Sequence, residues 1–216
     1  MPREFLLLQG TGCFHKGCAF CHYWDDVSKN PFAINKQELD KVTGKTGVLD
    51  IINSGSVHEI DEQTMDYIEK VASEKGIHTI WFETHYHYVD RLDEIRHRFP
   101  RQTIKFRTGV ESFRDEYRRK MNKDFPDITP EKIREDFDGV CLLVCTNGQT
   151  KESIEDDIKI AADLFEYFSV NVFNPNSTSV RLDEELYHWF KETLYPKIKG
   201  LPNIEVLIAN TDLGVG

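Results

Sequence analysis

The chain is poor in cysteine, in basic residues and in long apolar runs, and each shortage removes a class of protein. Five cysteines in 216 residues are too few for a disulfide framework and point to the reducing cytoplasm. No stretch approaches the roughly twenty uninterrupted apolar residues of a membrane span. The opening MPREFLLLQG lacks the basic region, long apolar run and small-residue cleavage site of a secretory leader; FLLL reads instead as a buried strand. Lys and Arg number 27 against 37 Asp and Glu, a formal net charge of −10. Such a surface repels a phosphate backbone, whose binding needs many cationic contacts, so neither nucleic acid nor membrane is expected as a partner. The one dense basic run, RDEYRRK at 114–120, is broken by Asp115 and Glu116 and reads as a solvated helix face. Linkers and low-complexity segments are also missing, so residues 1–216 are expected to form one domain, long enough to bury a core without covalent staples.

What is present is an alternation. Short runs rich in β-branched and aromatic residues recur at 5–8, 48–52, 79–83, 103–107, 140–144, 169–173 and 204–209, and amphipathic stretches lie between them. Asn35 with Glu38 has the spacing of a capping box. Asp61, Asp90, Thr129-Pro130, Thr150 and Asp183 each stand where a helix would start. Apolar strands separated by helices predict parallel βα units in an α/β fold, either a doubly wound sheet or a full or partial barrel. In either case ligands gather at the carboxyl ends of the strands. The residues predicted there are small or polar: Gly12–Cys21, Asn53–Ser56, Glu83–His85, Thr108–Ser112, Thr146–Gly148, Asn174 and Asn210–Asp212.

The segment TGCFHKGCAFCHYW at 11–24 holds three of the five cysteines, Cys13, Cys18 and Cys21. Zinc could take all three with His15 or His22, although structural zinc sites are usually built from two separated ligand pairs and no second pair exists. Cys18-Ala-Phe-Cys21 has the spacing of a redox dithiol, which leaves Cys13 unexplained. A four-iron cluster held at three corners by thiolates, with one iron open to a ligand, uses all three and needs no fourth. Cys141 and Cys145, four apart in a predicted strand, read as core thiols, with Cys145 nearer the strand end.

With its cysteines just after the first strand and an aromatic, Phe20, directly before the last, the chain resembles the radical S-adenosylmethionine (SAM) enzymes. Their usual spacing is C-x3-C-x2-C; here four residues separate Cys13 from Cys18, one more than usual, which an outward bulge would absorb. Ser54-Gly55-Ser56 lies where the family carries a turn for the methionine ammonium. Gly109–Ser112 and Cys145–Gly148 are similar to the segments after the family's fourth and fifth strands. The resemblance covers most of the chain. It implies a partial (β/α)6 TIM-like barrel with parallel strands and outer helices, and a 4Fe-4S cluster on Cys13, Cys18 and Cys21. SAM would bind at the open iron and be cleaved to a 5′-deoxyadenosyl radical, with flavodoxin or ferredoxin as electron donor. Phe20, Tyr23, Ser54, Gly55, Ser56 and Glu111 are the candidate SAM contacts; Phe20 and Tyr23 are equally readable as core, and Glu111 as a helix cap.

Beyond seven strands no substrate domain is expected, and the acidic balance favours a small-molecule substrate. TGCFHKGCAFC, VLDIINSGS, WFETH, TGVES and ANTDLGVG together are similar to the queuine lyases of queuine salvage. That likeness implies cleavage of the carbon–nitrogen bond of queuine, releasing the aminomethyl-deazaguanine precursor of queuosine in tRNA. A guanine-like edge presents adjacent N–H donors that a carboxylate accepts in parallel, which makes Glu83 and Asp212 the catalytic and base-reading candidates. His85, His87, Asn174 and Asn210 are candidates for the diol, both histidines facing one way if THYHY is extended. Another small radical enzyme, an activase or a peptide-tailoring enzyme, and a zinc-binding protein are the alternatives.

Overall fold

A computed structural model describes residues 2–209; two candidate substrate residues, Asn210 and Asp212, lie outside them. Seven strands follow the predicted runs closely. They are β1 (Glu4–Leu8), β2 (Val48–Asn53), β3 (Thr79–Glu83), β4 (Thr103–Glu111), β5 (Gly139–Val144), β6 (Tyr167–Val172) and β7 (Ile204–Leu207), and they neighbour one another in chain order. The pairs β1–β2, β2–β3, β4–β5, β5–β6 and β6–β7 are parallel.

The chain folds as two compact units. Residues up to 16 together with 22–106 make the first, and 17–21 together with 107 onward make the second. In the first unit α1 (Pro31–Leu39), α2 (Glu62–Glu74) and α3 (Leu92–Arg98) follow their strands. Leu49, Ile51, Ile80 and Phe82 are buried, as are Met65, Ile68, Val71 and Ala72 on one face of α2. Asp61 caps α2 as predicted, accepting from the Thr64 N–H at 3.0 Å.

Asn35 is not a cap: α1 begins earlier, with Asn30 accepting from the Ala33 N–H and Pro31 opening the helix. Asn35 is fully buried within α1, where its amide accepts from the Gln9 N–H and donates to the Gln9 carbonyl and to Thr64 Oγ1. Nor does Asp90 open α3; it lies in a 3-10 helix, Tyr86–Arg91, and Arg91 precedes the α-helix. That 3-10 helix also overturns an extended THYHY.

The second unit carries α4 (Asp115–Lys120), α5 (Pro130–Asp136), α6 (Lys151–Leu164), α7 (Glu184–Trp189) and, after a π-helical turn at Phe190–Leu194, α8 (Tyr195–Ile198). Thr129, Thr150 and Asp183 cap α5, α6 and α7 as predicted. All six residues of β5 are buried, as expected of a parallel strand covered on both faces. Val140, Leu142 and Val144 are buried there, as are Ile154, Ile158 and Ala161 on α6; burying each isoleucine contributes about 1.5–3 kcal/mol. On the opposite face Leu143 clusters with Tyr117, Met121, Phe173 and Val180.

RDEYRRK is not a purely solvated face. Arg118 is 1% exposed; it donates to the Ser112 and Pro126 carbonyls and pairs with Asp115. Burial lowers its pKa, and the nearby Asp115 and Asp127 oppose that.

Candidate active site

The site residues predicted from sequence fall into two groups, one in each unit. In the first, β1, β2 and β3 run parallel, so the segments after their carboxyl ends share one rim. The Gly10–His15 segment follows β1, Ser54–Ser56 follows β2, and His85 with His87 follows β3. Close approach is built into the sequence. A Cβ on Gly10 would lie 2.8 Å from Asn53 Nδ2 and 2.9 Å from the Glu59 carbonyl. Gly12, at φ +109°, takes a backbone conformation that favours glycine.

Glu59 organises this rim. Its carboxylate accepts the Phe14 N–H at 2.5 Å on Oε1, the Ser56 N–H at 2.6 Å on Oε2, and the Tyr88 hydroxyl at 3.2 Å on Oε1. Its carbonyl accepts from the Thr11 N–H at 2.7 Å and the Thr11 hydroxyl at 3.0 Å. Burial raises the pKa of the Glu59 carboxyl, and the Ser56, Phe14 and Tyr88 donors oppose that rise. Burial, followed by the Glu59 charge, pushes the Tyr88 hydroxyl up to about 12. Glu59 was missed in the sequence, although Ser56-Val-His-Glu59 has capping-box spacing and the Ser56 N–H does bond the Glu59 carboxylate.

Phe14, next to Cys13, is the centre of an aromatic cluster. The His87 ring stacks on it at 4.2 Å, and His85 and Tyr88 meet it edge-on at 5.1 and 5.6 Å. The two candidate histidines therefore reach one ring through a 3-10 turn rather than an extended strand. The His85 N–H donates to Ser56 Oγ at 3.0 Å, and its Nδ1 accepts from the His87 N–H. The Ser54 hydroxyl is buried with no hydrogen-bond partner, an acceptor and donor available to a ligand. Glu83 ends β3, half-buried. Tyr23, 54% exposed, lies in a 3-10 turn at Tyr23–Asp25 and stacks on His22.

The second unit holds Cys18, Phe20 and Cys21. Their loop is pinned by three hydrogen bonds: the Ala19 N–H to the Met121 carbonyl at 2.8 Å, Asn122 Nδ2 to the Gly17 carbonyl at 2.7 Å, and Asn176 Nδ2 to the Phe20 carbonyl at 2.9 Å. Ala19 and Phe20 pack on the Tyr117–Met121 cluster, so the core reading of Phe20 holds at least for part of its ring.

Glu111 ends β4 at φ +63° and is buried against Lys123, with 2.9 Å between Oε1 and Nζ. A left-handed backbone at a non-glycine residue is strained, and Glu111 is not a helix cap, since Arg114 precedes α4. Gly109 leaves room for the pair; a Cβ there would lie 2.7 Å from Glu111 Oε1. Asn174 donates to the Val172 carbonyl just past β6. Cys141 and Cys145 are buried, and burial, with the Asp183 charge, pushes the Cys145 thiol up to about 12. A neutral buried thiol packs rather than ligates.

Cys13, Cys18 and Cys21 are each partly exposed. Three thiols within nine residues of sequence are of the donor type that iron–sulfur clusters use. Among the described residues no three His, Cys, Asp or Glu side chains gather as ligands to one ion.

No protein-family model matches the sequence, and no curated protein matches it. Among solved structures, a queuine lyase from Clostridium spiroforme bound to SAM and queuine is 38% identical, with a TM-score of 0.93 over 99% of this chain and 94% of its own. Streptococcus suis SuiB bound to S-adenosylmethionine is 13% identical, with a TM-score of 0.58 over 98% of this chain and 48% of its own, a likeness of fold alone. These matches place the chain in the fold class expected, the α/β partial (β/α)6 type with parallel strands and outer helices. By its identity to the Clostridium spiroforme enzyme over nearly the full length of both, the chain belongs to the queuine lyase family of radical SAM enzymes.

Proposed function

We propose that this chain, acting as a single catalytic domain, cleaves the carbon–nitrogen bond of queuine and releases the aminomethyl-deazaguanine used for queuosine salvage. The observation that carries the reading is the 38% identity, over nearly all of both chains, to a queuine lyase bound to SAM and queuine, in a sequence that keeps three cysteines after its first strand. Cys13, Cys18 and Cys21 would hold a 4Fe-4S cluster. When bound, the cluster and SAM would supply hydrogen-abstracting radical chemistry, directed at the cyclopentene-bearing fragment beside the carbon–nitrogen bond.

The chain's own residues bind, orient and exclude water. Backbone carbonyls of Ser54 and Gly55 and the unpartnered Ser54 hydroxyl offer acceptors for the methionine ammonium, while the Ser56 carbonyl is held by the Glu59 N–H and the Asn53 amide. Glu111, held by Lys123, offers a carboxylate for ribose hydroxyls, and Phe20 and Tyr23 offer rings for adenine. Glu83 and Asp212 are proposed to read the deazaguanine edge, and His85, His87, Asn174 and Asn210 the diol. The setting is the reducing cytoplasm, with flavodoxin or ferredoxin as electron source.

Anaerobic reconstitution with iron and sulfide, followed by reductant and SAM, tests this by mass spectrometry. Deoxyadenosine is expected, with queuine raising its yield and the aminomethyl base appearing as product. Deoxyadenosine without base release would discard the substrate, and a colourless, zinc-loaded protein would discard the whole reading.

A further inference from the structure

We infer that Glu59 is a positioning residue, a latch that sets the Cys13 loop against the Ser54–Ser56 turn. The inference rests on the proposed function only for what those two segments bind. Phe14 and Ser56 lie on different βα loops, yet each gives its backbone N–H to a separate oxygen of the one carboxylate, at 2.5 and 2.6 Å. Tyr88 adds a third donor. Each oxygen thus takes a backbone N–H from a different segment, and the carboxylate fixes the backbone of both.

The surroundings leave the carboxylate no freedom. A Cβ on Gly55 would run into Glu59 Oε2 and come within 2.9 Å of the Gly12 carbonyl. The Glu59 carbonyl meanwhile holds Thr11 twice. One residue thus grips the cysteine loop on both sides of Gly12-Cys13, through Thr11 and through Phe14, and grips the turn through Ser56. A loop carrying an extra residue between its first two cysteines has more conformations to lose, and such a grip removes them.

Hydrogen exchange on the full chain, without added cofactor, reads the latch directly. In Glu59→Gln one oxygen becomes an NH2 group, leaving a backbone N–H facing a donor and the other bond without its charge. Charge-assisted bonds to buried carboxylates are strong enough that the Phe14 and Ser56 amides, 42 positions apart in sequence, are expected to exchange about tenfold faster or more, together. The Ile68 amide in the α2 core should hold its protection. Gly55→Ala, which displaces the carboxylate without altering its charge, is expected to produce the same paired loss, and Tyr88→Phe, which spares both backbone bonds, is not.

In reconstituted protein, Glu59→Gln should need about tenfold more SAM to shift the spectrum of the reduced cluster at equal iron content. Unchanged exchange, loss at only one of the two amides, or identical SAM titrations of mutant and wild type would overturn the latch. Paired exchange in a protein whose wild type shows no SAM-dependent spectrum would instead sink the proposed function and leave the latch standing.

Discussion

Arg118 carries its charge where water does not reach, and the backbone carbonyls of Ser112 and Pro126 are what it satisfies. Arg118→Met keeps the volume and leaves those acceptors empty, so a loss of about 2–3 kcal/mol is expected in a urea melt. Lysine would not rescue it, because a single ammonium cannot reproduce the guanidinium fork. His58 gives a pH dependence. Burial, then the nearby Arg91 charge, lowers its pKa from 6.5, against the hydrogen bond to the Arg91 carbonyl and the Glu94 charge. The unfolded chain therefore binds this proton more readily than the folded one. The contribution of neutral His58 is complete above pH 6.5 and is lost as the pH falls below it. Between pH 7.5 and 5.5 the melting temperature of the wild type should drop further than that of His58→Gln; equal drops would exclude the effect. At this scale the sequence was least legible. Asn35 and Glu59 are ordinary polar residues until partners 26 and 45 positions away are known.

At the scale of elements legibility was high, because hydrophobic pattern and caps are local. The strands lie within a few residues of the predicted runs, and β4 is longer by the four residues Thr108–Glu111, since pairing with β5 carries a non-apolar Thr-Gly segment into the sheet. The cap of α6 is among the cleanest: Thr150 Oγ1 accepts the Ser153 N–H at 3.1 Å, and Ser153 Oγ accepts the Thr150 N–H at 2.9 Å. Thr150→Ala is expected to cost about 1 kcal/mol, read as a shift of the denaturant midpoint at unchanged slope. Where the sequence failed here, at THYHY, two conformations were open to an alternating aromatic stretch. The contacts with Phe14 are long-range facts that no local pattern contains.

For the whole molecule, composition gave the fold class, and the cysteine segment with its companion motifs gave the partial barrel and the family. An alternation of apolar runs and amphipathic stretches fixed an α/β chain, but not which α/β architecture, since periodicity within each element is the same in a barrel and in a doubly wound sheet. The net charge of −10 disfavours contacts with a phosphate backbone. The protein is accordingly expected to pass through heparin at low salt, and retention there would revive a nucleic-acid partner. The crowding of Gly55 against Glu59 has an evolutionary corollary. Neither Gly55 nor Glu59 can drift alone, because a methyl group at 55 evicts the acid and a shorter acid releases both backbones. Across relatives these positions should therefore covary, lost or kept as a set, and the history of the family would record a mechanical constraint that no single position reveals.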